Sequence, residues 1–249
     1  MSVNFNWKMK SLLSVFATSN TDKTVVISGL LGSLGAAIMF AGDLLLYAHW
    51  REMPEVNEAI ISLLPSRKVV ILAAPWQLQV SGVLGPIAAG FYLFGAWHLY
   101  INLAARSRFW ASLTAILFGL SIIIAGAYHA LWGMYGFIVQ FANDQGLSSL
   151  VLLEAASNYM AFVADIVAAP LGIACLIVLV RTLQFKTNYP RWMVLLNPLP
   201  LLLVGSPILA SLAINMTTPY DALTVGTYFN AVMMLFFFTS VLSSKQKSD

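Results

Sequence analysis

Among the ionisable side chains inside long apolar runs of this chain are Asp43 in "AGDLLLY", His129 in "AGAYHALWGMYG" and Asp165 in "AFVADIVAA". Such a group is costly in a membrane-length segment, so it is expected to face the bundle interior and find a partner. A carboxylate beside an imidazole is an acid–base couple able to pass a proton. Asp43, His129 and Asp165 are therefore the candidate catalytic residues. Tyr47, Trp132, Asn158, Ser206 and Asn230 are read as ligand-binding positions around them, with rings to hold an apolar body and polar groups to orient its head. A plainer reading stands beside this one: Asp43 and His129 form a pair that only locks two helices together.

Metal chemistry has some material. Asp43, His49, His129, Glu154 and Asp165 offer the N and O donors that zinc or iron accepts, yet no HxxxH or HExxH spacing organises them. The sequence leaves any cofactor unknown. Haem would need facing histidines at matched depth, and only His49 and His129 are candidates. His49, ahead of Trp50 and Arg51, reads as interfacial. Glu154 reads as a solvated charge, and His98 in "GAWHLYINL" as a helix–helix contact. The last apolar stretch has no lysine for a retinal Schiff base, and the paired-histidine motif of ceramidase-like zinc hydrolases is missing.

The elements that position these residues follow from composition. Of 249 residues, 59% are hydrophobic and 9% charged, with a mean hydropathy of +0.81; a soluble domain carries about a quarter charged residues. This is the composition of an integral membrane protein. The net charge of +3 is too small to suggest nucleic acid. A single cysteine, Cys175, excludes an internal disulfide framework. Six stretches are long and apolar enough to cross a bilayer: about 24–48, 77–104, 109–137, 148–181, 192–214 and 221–243. The expected fold is an all-α bundle of six transmembrane helices forming one domain over 24–243. An interfacial segment (1–23) precedes it and a short tail (244–249) comes after it.

Lys8, Lys10 and Lys23, Arg106 and Arg108, Arg181, Lys186 and Arg191, and Lys245 and Lys247 mark one side, while "VQFANDQG" and "NMTTPYD" hold no Lys or Arg. The positive-inside rule puts both termini in the cytoplasm, with a plasma membrane as the expected site. The first outer loop is expected to carry a short amphipathic surface helix near 54–64. Pro54 opens it, Val56, Ala59, Ile60, Leu63 and Leu64 share a face, and Pro65 stops it. Small-residue stripes, Gly29-Gly32-Ser33-Ala36 and Gly119-Gly126-Ala130-Gly133, predict close helix approach. Pro198, Pro200 and Pro207 make "NPLPLLLVGSP" the most broken span. No repeat relates the two halves, which removes support for an inverted-repeat transporter.

Counting rise from each flanking charge puts Asp43 and His129 roughly 30 Å up, Asp165 roughly 24 Å, and Ser206 and Asn230 roughly 22 Å. His98 lies only about 12 Å from Arg106. Glu154, Asn158, Ala161 and Asp165 form one helical stripe. The expectation is an outward-opening cavity lined by Asp43, His129, Asp165, Asn158 and aromatic rings. Three functions fit it: binding or processing a lipid or lipophilic small molecule, proton-coupled transport, or non-catalytic assembly. The expected partners are membrane lipids and a lipophilic small molecule; the oligomeric state stays open.

Overall fold

A backbone surrounded by apolar groups has no water to bond, so it must satisfy its own amides, and a helix does so within one segment. The computed structural model describes residues 20–49, 56, 58–63, 68–145, 150–205 and 226–244, and all regular structure among them is helical. The principal helices are α1 (Asn20–Tyr47), α2 (Glu58–Leu63), α3 (Pro75–Ala104), α4 (Arg108–Gln145), α5 (Leu150–Leu183) and α6 (Gly226–Ser244). Four of them, α1, α3, α4 and α5, are long and apolar enough to cross a membrane. Neighbours run in the order α6, α1, α3, α4, α5. One apolar core gathers Tyr92, Phe118, Met233 and Phe237. A second, at the other end of the bundle, gathers Leu46, Ile60, Leu78 and Trp132.

Several boundaries differ from the sequence expectation. The third span runs on to Gln145, through most of the expected loop "VQFANDQG", because nothing before Gly146 breaks the helix. Its extension is held in place: Gln140 Nε2 donates to the carbonyls of Ala73 (2.7 Å) and Ile71 (3.4 Å), at the end of the 3-10 turn Lys68–Leu72.

The fifth span does not start as an α-helix at 192. Arg191–Leu196 form a 3-10 turn, Asn197 is extended, and α-helix occupies 198–205. A residue before proline is pushed out of the helical region. Asn197 then serves as the cap: its Oδ1 accepts from Leu199 N at 2.9 Å, with Pro198 at the first helical position. Asn197 Nδ2 also donates to Cys175 O on α5 at 3.2 Å.

Residues 206–225 lie outside the described residues, so the candidate Ser206 and the rest of the fifth span do too. The described part of the last span, α6, has 19 residues, and its apolar portion is Thr227–Ser243. In the first loop, six residues, Glu58–Leu63, are helical, with Ile60 fully buried in the second core. Pro54, Leu64 and Pro65, the expected ends of that helix, fall outside the described residues.

Candidate functional site

Small residues decide how closely the helices approach around His129. A Cβ on Gly85 of α3 would lie 2.6 Å from His129 Cβ and 2.7 Å from Gly126 O of α4. A Cβ on Gly42 of α1 would lie 2.9 Å from His129 Cε1. The imidazole thus lies in a slot whose walls are bare backbone from two other helices, the close packing that glycine permits in a membrane bundle.

Inside that slot runs a chain of hydrogen bonds through four helices. His129 Nδ1 is 3.1 Å from Ser81 O. A carbonyl can only accept, so Nδ1 carries a hydrogen. His129 Nε2 faces Asp43 Oδ1 at 3.1 Å. The other carboxylate oxygen, Oδ2, accepts from Asn230 Nδ2 at 2.7 Å. Asn230 Oδ1 in turn accepts from the Tyr92 hydroxyl at 2.8 Å. Ser81 Oγ donates to Gly42 O at 2.9 Å. All five side chains are buried.

The direction of each bond in this series is fixed by its groups, except between Nε2 and Oδ1. With Nδ1 protonated, a hydrogen bond at this link requires one proton, carried by Nε2 or by Oδ1. It makes either imidazolium with carboxylate or neutral imidazole with carboxylic acid, and both states have zero net charge. Burial favours such internal neutralisation, because an uncompensated charge would lack water.

The expected cavity takes a different form. Asp165 is exposed on α5 and does not join Asp43 and His129; Asn158 and Glu154 on the same stripe are exposed as well. Leu153, Met160 and Val163 form the buried stripe of α5 instead, and burying them turns the polar stripe away. Tyr47 and Trp132 do lie together, edge to face at 5.9 Å, but as packed core rather than as walls of an opening. Asn230, read as a ligand-binding position, is a hydrogen-bond partner of Asp43. His49 is buried and its Nε2 bonds Leu46 O at 3.0 Å, closing the last turn of α1. Among the described residues no three His, Cys, Asp or Glu side chains come together in a way that could hold a metal ion.

A second polar node forms around His98, the expected helix–helix contact, with partners on α1 and α6 that the sequence did not name. His98, fully buried, has Nδ1 2.9 Å from Val25 O and 3.3 Å from Ser28 Oγ. Its Nε2 lies 2.7 Å from Ser240 Oγ and 3.2 Å from Asn102 Nδ2. Asn102 Nδ2 can only donate, whereas Ser240 Oγ, whose one hydrogen also reaches Phe237 O at 2.7 Å, can meet Nε2 as donor or acceptor. The available sequence signal is local: Asn102 comes one helical turn after His98, the spacing of a same-face pair.

No curated protein and no solved structure matches this chain. A family model does match, across residues 9–246. The chain with this buried Asp–His pair therefore belongs to DUF6796, a family of unknown function.

Proposed function

We infer that this is a six-helix plasma-membrane protein with cytoplasmic termini, and that it works as a proton-linked carrier centred on Asp43 and His129. One observation carries the reading: His129 Nε2 faces Asp43 Oδ1 at 3.1 Å within a buried hydrogen-bond network, the arrangement of an acid–base couple. Ionisable groups inside spans mark proton relays, and this pair can change protonation without moving its neighbours. The four long apolar helices support the topology. The remaining two spans come from 192–214 and α6, and Glu58–Leu63 would rest at the outer surface. A lipophilic-ligand site at the same pair would require α1 and α3 to separate, since Gly42 and Gly85 leave no gap beside the imidazole.

The test is proton flux into liposomes holding a trapped pH dye, with the membrane potential clamped by potassium and valinomycin. Wild type is expected to relax an imposed pH gradient faster than protein-free liposomes. Asp43→Asn and His129→Gln should return to the protein-free rate. Equal rates for all three proteins would remove the proton reading. In that case a lipid that co-purifies with wild type and is lost in His129→Gln would favour the ligand reading instead.

A further inference from the structure

The turn that leaves α5 carries a residue its backbone does not favour. The helix ends in a Schellman closure: Phe185 N donates to Thr182 O at 3.1 Å, and Lys186 N to Arg181 O at 2.9 Å. Phe185 fills the left-handed position of this closure, with φ of 56°. It is the one non-glycine residue of positive φ among the described residues. Glycine takes that position without strain, and a residue with a Cβ does not. The Phe185 side chain is also 65% exposed, so no core packing offsets the strain. A strained residue held in place by its surroundings points to a use for its side chain.

The neighbours of the ring indicate that use. The Arg191 guanidinium lies over Phe185, its Cζ 4.8 Å from the ring centroid. That of Arg181 lies over Trp110 of α4 at 6.0 Å. A guanidinium stacked on a ring keeps its N–H edge open to an acceptor. Among the described residues the one ion pair is His129–Asp43, so neither guanidinium has a carboxylate. The turn itself is fixed: Tyr189 N donates to Thr187 Oγ1 at 3.2 Å, and Asn188 N to Asn102 O of α3 at 2.9 Å. The bond to Asn102 sets the turn beside the end of α3, from which the chain passes through Arg106 to Arg108 at the start of α4. Residues 100–110 and 181–200 together hold five Lys or Arg and no Asp or Glu. Exposed Phe109 and Trp110 follow Arg108 in the chain, and exposed Trp192 follows Arg191. Rings amid cations at a span end suit the headgroup layer, where basic clusters take anionic lipid.

We propose that the turn 181–191, with Trp110 beside it, is a binding site for the phosphate of an anionic phospholipid. Arg181 and Arg191 donate to the phosphate oxygens as charge-assisted hydrogen bonds. Phe185, turned outward by the left-handed backbone, supports Arg191 and sits in the same interfacial layer. Lys186, Arg106 and Arg108 add the positive field that favours a net-negative headgroup over a zwitterionic one. The site stands apart from the proton-linked reading, and either can fail without the other.

Native mass spectrometry of the detergent-purified protein tests this, by titration with phosphatidylglycerol or with phosphatidylcholine of the same chains. Wild type is expected to hold phosphatidylglycerol at a several-fold lower lipid concentration. Arg181→Gln and Arg191→Gln should each lose most of that preference. Arg191 is exposed, so its variant tests the site even where Arg181→Gln does not fold. Phe185→Gly should melt at a higher temperature than wild type, because the strain is gone, and yet hold phosphatidylglycerol more weakly. Phe185→Gly that binds as wild type does would overturn the part given to the ring. Equal binding of the two lipids by wild type would overturn the site, as would a preference that both arginine variants keep. Glycerol phosphate at the same concentration should leave the lipid bound. Displacement would make a soluble phosphate ester the ligand and overturn the lipid.

Discussion

Asp43 has two oxygens with different duties, and this shapes what its replacement does. In Asp43→Asn, the new amide can donate to His129 Nε2 while its oxygen still accepts from Asn230. Every hydrogen bond survives, and only the exchangeable proton is lost. The expected stability change is within about 1 kcal/mol, the net worth of a typical hydrogen bond. His129→Ala is the opposite case, since it leaves the buried Asp43 carboxyl without its imidazole partner, with only Asn230 still donating to it. Breaking a buried pair from one side costs about 3–5 kcal/mol. Thermal melts in detergent should rank His129→Ala far below Asp43→Asn. Similar losses in the two would mean that the pair carries no shared proton of the kind inferred.

At the level of elements, glycine positions separate helix contacts from open surface. Gly85 faces α4, where a methyl group would meet His129 Cβ and Gly126 O; at Gly90, on the same helix, nothing lies within 4 Å. Gly85→Ala must therefore part α3 from α4, at about 1–3 kcal/mol for overpacking. It should also weaken the His129–Asp43 bond. Gly90→Ala should be neutral, or stabilise by up to about 1 kcal/mol through helix propensity. Chemical denaturation of the two variants checks the contrast, and equal destabilisation would argue against this packing of α3 on α4. The prolines act differently. Pro86 and Pro170 are accommodated within α3 and α5. "NPLP" becomes a true break, because Asn197 leaves the helical region and caps the helical turn that starts at Pro198.

For the whole molecule, α4 is the axis of the topology. Its 38 residues span roughly 57 Å, far beyond a hydrocarbon core of about 30 Å. A crossing helix of that length reaches well past the core and puts one end on each side of the membrane. Reporter fusions after Arg108 and after Gly146 are expected to show opposite sidedness, with the Arg108 fusion cytoplasmic. The same compartment for both would remove α4 as a span, and with it the six-helix count. Both polar nodes draw on α1, α3 and α6, with His129 of α4 completing the first, while α5 packs mainly on α4 and contributes to neither. The buried polar nodes and the exposed α5 stripe are thus separate features of the molecule.

Class, helical character and the relative height of polar groups were legible in the sequence, because they depend on local quantities. Apolar run length decides whether a segment can cross, and a fixed rise per residue turns a count into a height. Counting puts Asp43 and His129 at about the same height, and a hydrogen bond joins them; Asn230, counted roughly 8 Å lower, bonds Asp43 as well. Azimuth is another matter. Whether Asp165 meets the pair depends on which face of α5 packs on α4, and Leu153, Met160 and Val163 win that contest for the buried side. The His98 node was out of reach for the same reason: Val25, Ser28, Asn102 and Ser240 come from three helices whose approach is set by Gly29, Gly32 and Gly95. Only tertiary packing brings residues 142 positions apart, His98 and Ser240, within 2.7 Å. Helix rise is a property of the chain, but the side a helix turns inward is a competition among all its neighbours.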